Sequence, residues 1–153
     1  MISNFQEKRV LLTPPQSVAD NATVTSATLD TFGYEYLKID VDLGVTALAL
    51  ASLKVQQSDL SNMGSASDVT GTVFGTDAND TGSTSSLPAA TDDNKSFSFF
   101  IDLRGKKRYM KVSATTPVSA NNTALVAISA TLGRPHEAPQ TAVNAGYSQR
   151  MVA

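Results

Sequence analysis

The sequence predicts an all-β fold: an antiparallel two-sheet sandwich of jelly-roll type, with about eight strands and extended tails at both ends. Apolar and polar residues alternate at period two in several segments, as they do in a strand with one buried face. Serine and threonine each occur 17 times in 153 residues, a composition that suits strands and turns. No segment has an apolar repeat of ordinary helical length, so β-α-β units are missing and the sheets should be antiparallel.

Residues 1–21 are predicted to form an N-terminal arm outside the sandwich domain. The arm has one short apolar run, Val10-Leu11-Leu12, and Pro14-Pro15 follows it with a fixed φ angle and no backbone donors. Because the run has no core-forming period of its own, we expect it to dock on another subunit or another protein. The alternative, that it is the first strand of the chain's own sheet, stays open. An edge strand is predicted next, over residues 23–29.

The clearest strand covers residues 34–43, because its apolar residues fall on one face and charged residues on the other. A strand over residues 46–57 follows, in which the apolar parity changes between Leu50 and Leu53. That change indicates a β-bulge or a turn of helix, and we favour the bulge. A short strand over residues 68–74 completes this half of the chain.

Residues 76–95 are predicted to be a long mobile loop, since Leu87 is their only large apolar residue and they cannot bury themselves. Three strands follow, and the rest of the chain, with two prolines and no apolar periodicity, is predicted to be a C-terminal tail. The strands cover residues 96–103, 108–115 and 123–133. The predicted organisation is therefore an arm over 1–21, a sandwich domain over 22–133 and a tail over 134–153.

Composition and motifs exclude most catalytic chemistry. The chain has no cysteine and one histidine, so thiolate sites and zinc sites with two imidazoles are excluded. Asp40 and Asp42 lie on the polar face of one strand, but nothing marks either carboxylate as desolvated. We therefore predict that the protein is not an enzyme, and that it has no catalytic, cofactor-binding or metal-binding residues and no cofactor. A net charge of −2 argues against nucleic acid, no apolar segment has membrane length, and no small-molecule ligand is expected.

Four cations occur within five residues at a predicted turn: Arg104, Lys106, Lys107 and Arg108. One interpretation is a contact site for an anion or an acidic partner surface. The other is a charged turn that keeps the strand ends hydrated. The sequence leaves both open.

Three stretches of the chain, in this order, resemble small structural proteins from the head-gene modules of tailed bacteriophages. The first is LKVQQSD at 53–59, followed by DVTG at 68–71. The second is FIDLRG at 100–105, running into KRYMKV at 107–112. The third is residues 125–132, closing on Gly-Arg-Pro at 133–135. Among those proteins are jelly-roll cement, or decoration, proteins that bind the outside of the capsid. The resemblance covers about two-thirds of the chain and brings no catalytic residues with it.

The resemblance implies a non-enzymatic virion protein on the outer capsid surface, made in the host bacterial cytoplasm, that cements or decorates the shell. Its expected partners are the major capsid protein and further copies of itself, as a homodimer or homotrimer. We expect the arm to supply the capsid or subunit contacts, through Phe5, Arg9, Val10, Leu11 and Leu12. Two alternatives stay open: a virion adhesin or carbohydrate-binding module, and a tail or neck component. Aromatic residues are only 7% of the chain and tryptophan is absent, which argues against a sugar site.

Overall fold

The computed structural model describes residues 7–18, 22–46, 49–118 and 124–136, together with Gly146. Within these ranges the chain forms nine strands and no helix. The strands are β1 (Glu7–Val18), β2 (Thr23–Thr25), β3 (Leu29–Asp30), β4 (Tyr34–Thr46), β5 (Ser52–Ser58), β6 (Ser67–Val73), β7 (Ser96–Asp102), β8 (Tyr109–Thr115) and β9 (Ala124–Pro135).

The strands form two antiparallel sheets. Sheet A has the order β1-β9-β4-β7, and sheet B has the order β2-β8-β5-β6, with β3 also paired to β8. Because β2 and β3 pair with successive parts of β8, they occupy one strand position between them. The chain therefore fills eight positions, and its first and last strands are neighbours in sheet A. This is the strand order of a jelly roll, so the predicted fold class is confirmed.

The core lies between the two sheets and is built by alternation along each strand. In β4, Leu37, Ile39 and Val41 are fully buried, as the period-two pattern predicts. The inner face of sheet B packs against them with buried side chains that also alternate along β5 and β8: Leu53, Val55, Met110, Val112 and Ala114. Since each strand has one buried face, the sandwich keeps two outer faces for other contacts.

Residues 7–18 belong to the sandwich and not to an arm outside it. They form β1, which pairs with β9 along its length and buries Leu12 and Val18 in the core. Pro14 and Pro15 are tolerated because β1 is an edge strand and because its register shifts twice, between Leu11 and Thr13 and between Thr13 and Gln16. The alternative interpretation of the apolar run, as the first strand of the chain's own sheet, is the one that the structure shows.

The bulge predicted between Leu50 and Leu53 is wrong. Strand β4 ends at Thr46 and β5 begins at Ser52, so Leu50 lies in the connection between two strands. Leu50 is nevertheless buried, and its N–H donates to the carbonyl of Pro88 over 2.9 Å. The parity changes because the chain leaves one sheet and enters the other.

The connection between β6 and β7 is attached to the sandwich, although its sequence predicts a mobile loop. Leu87 packs against the core. The N–H of Thr46 donates to Oδ1 of Asp93 over 2.7 Å, and the N–H of Asn94 donates to the carbonyl of Gly44 over 3.2 Å. One apolar anchor and these hydrogen bonds thus hold the segment against the sandwich. Most of the predicted C-terminal tail, residues 137–145 and 147–153, lies outside the described residues.

Candidate interaction surfaces

The outer face of sheet A consists of the outward-pointing side chains of β1, β9, β4 and β7. Strand register places them in rows across the sheet, one of which runs through Arg9, Thr131, Lys38 and Phe100. Large apolar side chains stand on this face with substantial exposure: Leu11 at 60%, Phe100 at 62%, Leu125 at 47% and Tyr36 at 39%. Apolar side chains therefore occupy both edges and the middle of one broad surface.

Two aromatic rings and an ion pair occupy the half of this face formed by β4 and β7. The rings of Tyr36 and Phe100 lie 6.4 Å apart between centroids, tilted by 49°. Nζ of Lys38 lies 5.8 Å from the centre of the Phe100 ring and 2.9 Å from Oδ1 of Asp40. Because Lys38 already has a carboxylate partner, covering this region would bury a paired charge, which costs less than burying an unpaired one.

The outer face of sheet B is hydrophilic. Its outward side chains on β2, β8 and β5 include Thr23, Thr25, Lys111, Ser113, Thr115, Lys54 and Gln56. The hydroxyls of Thr23 and Thr115 are 3.0 Å apart, and Asp68 on β6 accepts from both Lys54 and Gln56 over 2.9 Å. Those two hydrogen bonds lower the pKa of Asp68 below its usual value. No large apolar side chain is exposed among the described residues of the sheet B strands.

The cation cluster at residues 104–108 lies in the turn between β7 and β8, and most of its charge is paired. Arg104 forms an ion pair with Asp102, which lowers the pKa of that carboxyl to about 2. Arg108 holds Asp30 through two hydrogen bonds of 2.8 and 2.6 Å, and Nζ of Lys107 lies 3.5 Å from Asp59. The hydrogen bond from Arg108 also lowers the pKa of Asp30.

These pairs favour the interpretation of the cluster as a charged turn. Three of its four cations, all except Lys106, have a carboxylate within ion-pair distance among the described residues. The guanidinium of Arg108 also lies over the rings of Phe32 and Tyr109, at 4.8 and 5.1 Å. An incoming anion would have to compete with these partners.

Four of the five residues predicted for the capsid contact are described by the structure, which places them on opposite faces of β1. Val10 and Leu12 turn inward, where Leu12 is buried and Val10 packs against the core. Arg9 and Leu11 point outward on the outer face of sheet A, and Phe5 lies outside the described residues. Phe100 is exposed at a position where the alternation along the strand predicts a polar residue, and this exception is visible in the sequence alone.

A groove of about 520 Å³ runs between the edge strands β6 and β7. Its apolar wall contains Phe74, whose ring contacts Phe97 and Phe99 edge-on at 5.7 and 5.2 Å. Its polar side includes Asp77 and Asp80 from the β6–β7 connection. Asp77 is already engaged, because its Oδ2 accepts from the N–H of Val73 over 2.9 Å.

Within the described ranges, no group of three or more His, Asp or Glu side chains is placed to hold a metal ion. No helix in those ranges could cross a membrane. Asp40 and Asp42, the carboxylates considered for catalysis, are both partnered, by Lys38 and by the hydroxyl of Ser96 respectively. No protein-family model matches the chain, and no curated protein matches it.

Proposed function

We propose that this protein is a non-enzymatic virion component that binds the outer capsid surface of a tailed bacteriophage and cements or decorates the shell. The observation that carries the proposal is the contrast between the two outer faces of the sandwich. The face of sheet A exposes Leu11, Tyr36, Phe100 and Leu125, while the face of sheet B is covered by paired polar groups. The capsid is proposed to contact the sheet A face.

Burial of apolar surface provides the driving force for such a contact. Tyr36 and Phe100 are adjacent exposed apolar side chains on this face, and such groups on a folded protein mark interaction sites, because leaving them in water is unfavourable. Lys38 and Asp40, which lie between Tyr36 and Leu11 on this face, form an ion pair, so covering that part of the face does not bury either of these two charges alone. On a capsid, repeated copies of one modest contact gain strength from their high effective concentration.

The fold agrees with the resemblance to phage cement proteins but does not decide the function alone. Jelly rolls occur in viral shell proteins and in lectins, so function has to be argued from surfaces. In this chain the exposed apolar side chains are spread over a sheet face, which suits a broad protein partner better than a small ligand.

Co-sedimentation with expanded shells assembled without the protein tests this proposal. Two variants, Leu11→Lys and Tyr36→Lys, place charge on the sheet A face, and Thr25→Lys places the same charge on the sheet B face. All three sites are exposed, so circular dichroism should remain that of a folded β protein.

We expect the two sheet A variants to weaken shell binding at least about tenfold, because each would place an additional ammonium group inside the proposed contact, where desolvation is costly. Thr25→Lys should bind like the wild type. If the wild-type protein does not bind shells, the proposal fails. If Thr25→Lys is the variant that loses binding, the assignment of the face is wrong.

Carbohydrate binding is the second candidate function, and the groove between β6 and β7 favours it. The groove has a volume of about 520 Å³, which is within the range of small-ligand sites. A glycan array distinguishes the two functions: a capsid-binding protein retains no glycan, whereas an adhesin retains a defined set whether or not shells are present.

A further inference from the structure

Edge strands need protection, because their unpaired backbone groups can pair with another chain. Sheet A has β1 and β7 at its edges, and sheet B has β6 at one edge and the short strands β2 and β3 at the other. Natural sheets block unwanted pairing with prolines, bulges, charges or very short strands. One of these edges has no such protection.

All of these edges except β7 carry such a device. Strand β1 has two prolines and two register shifts. Strands β2 and β3 are three and two residues long. Strand β6 has a register shift opposite Lys54 and Gln56, and its Gly71 adopts a φ angle of 85°. Each device interrupts the regular row of donors and acceptors that a new strand would need.

Strand β7 has none of them. Its seven residues, Ser-Phe-Ser-Phe-Phe-Ile-Asp, contain no proline, glycine or basic residue, and they pair with β4 without any register shift. The one charge is Asp102, at the end of the strand. A long, regular and largely apolar edge of this kind will pair with a further strand if one is available.

The hydrogen bonds at both ends of β7 show which of its backbone groups are free. The N–H of Leu43 donates to the carbonyl of Lys95, and the N–H of Leu103 donates to the carbonyl of Glu35. Antiparallel ladders alternate, so the odd-numbered residues of β7 bond to β4 and the even-numbered ones turn their N–H and C=O groups outward. The outward set is Ser96, Ser98, Phe100 and Asp102, and all four residues are exposed.

We propose that β7 pairs antiparallel with β7 of a second copy of this chain, about a two-fold axis at Phe99. In this register Ser96 lies opposite Asp102 of the second copy, and Ser98 lies opposite Phe100. In each copy, the four outward residues then each donate one backbone hydrogen bond and accept one, which gives about eight backbone hydrogen bonds across the axis. On the inner face, Phe97 lies opposite Ile101 of the second copy, and the two Phe99 residues meet.

Charge and register favour a second copy as the occupant. The one charged residue of β7 faces an uncharged serine in the register centred on Phe99, so no like charges are opposed. A register shifted by two residues and centred on Phe100 would leave Ser96 unpaired in each copy. The self-pairing that uses the most hydrogen bonds is thus also free of repulsion, and an isologous contact closes after two copies.

The pairing would join sheet A of one copy to sheet A of the other, giving one eight-stranded sheet. The outer faces of the two sheets would then lie side by side. It does not rest on the proposed binding to capsids, because it follows from the free edge alone. It gives the expected self-association a specific geometry, a dimer and not a trimer.

Disulfide cross-linking tests the register. Because the chain has no native cysteine, any disulfide must join introduced cysteines. Ser98→Cys and Phe100→Cys are prepared as separate proteins. In the proposed dimer these positions are directly opposite, with Cα atoms about 5.5 Å apart, within disulfide range. Mild oxidation of the mixed proteins should give a covalent dimer, and oxidation of either protein alone should give little, because each cysteine then faces a native residue.

Sedimentation equilibrium with Ser98→Pro tests the edge itself. The proline removes a donor that points outward, so it costs no hydrogen bond within one copy, and Ser98→Thr is the matched control that keeps the donor. We expect a dimer for the wild type and for Ser98→Thr, and a dissociation constant raised at least about tenfold for Ser98→Pro.

The proposal is overturned by a wild-type monomer or trimer, by a Ser98→Pro dimer of unchanged affinity, or by cross-links of equal yield in the separate and mixed proteins. If Ser98→Pro does not fold, the cross-linking result decides alone. A monomer that still binds shells would overturn the dimer and leave the proposed function standing.

Discussion

The two outer faces of this sandwich have the same backbone architecture and opposite surface chemistry. On sheet B, neighbouring side chains satisfy one another across strands, as Thr23 does with Thr115 and Lys54 with Asp68. On sheet A, Tyr36 and Phe100 are exposed, and they point outward from their sheet as those polar residues do from sheet B. Both sheets bury their inner faces equally well, so the fold does not require this difference. Under the proposed function, the sheet B face stays in water and the sheet A face contacts the capsid.

Substitutions on the inner faces of the two sheets should have the largest effect on the free energy of unfolding. We expect this effect to be similar in the two sheets. Ile39→Ala in sheet A and Leu53→Ala in sheet B remove fully buried side chains, so each should lower the free energy of unfolding by about 2–5 kcal/mol. Denaturant midpoints measure both. The exposed control Ser98→Ala should stay within about 0.5 kcal/mol. A small loss at either buried site would mean that the two sheets do not share one core.

Sheet A also contains a local weakness that a substitution can repair. Thr13 is buried at the register shift of β1, and its hydroxyl has no hydrogen-bond partner among the described residues. Thr13→Val keeps the shape and removes the unsatisfied group, so it should raise the free energy of unfolding by about 1 kcal/mol. Thr25→Val, at an exposed site on sheet B, is the control and should change little. Destabilisation by Thr13→Val would show that the hydroxyl is satisfied in solution.

The smallest effect concerns the charged turn that follows β7. The ion pair with Arg104 holds the pKa of Asp102 at about 2, below its ordinary value of 3.8. A carboxyl with a lowered folded pKa favours the folded state above its unfolded pKa, and this contribution disappears as the pH falls from about 4 towards 2. NMR titration should place the Asp102 midpoint near 2 in the wild type and closer to 4 in Arg104→Gln. Equal midpoints would contradict the pairing.

Periodicity accounts for most of what could be predicted. The burial of Leu37, Ile39 and Val41 follows from alternation, and so do the later strands, whose bounds differ from the predicted ones by only one or two residues. Within the predicted arm, residues 7–18 form a strand instead, because Pro14 and Pro15 lower the apparent strand propensity of a segment that an edge position tolerates.

Surface function is harder to predict than strands. The contrast between the two outer faces depends on which strands become neighbours, and strand order is a long-range property that alternation does not contain. Leu11 and Tyr36, for example, reach one surface only because β9 lies between β1 and β4. The anchoring of residues 76–95 was hidden for a similar reason, since it depends on hydrogen bonds to Gly44 and Thr46.

The most direct test of the proposed contact is hydroxyl-radical footprinting of the protein, free and bound to expanded shells. The method reports the solvent exposure of individual side chains. Oxidation of Tyr36 and Leu11 should fall on shell binding, while that of Leu60, an exposed residue in the β5–β6 connection, should not change. Protection of the sheet B face with Tyr36 and Leu11 still oxidised at the free rate would contradict the proposed contact.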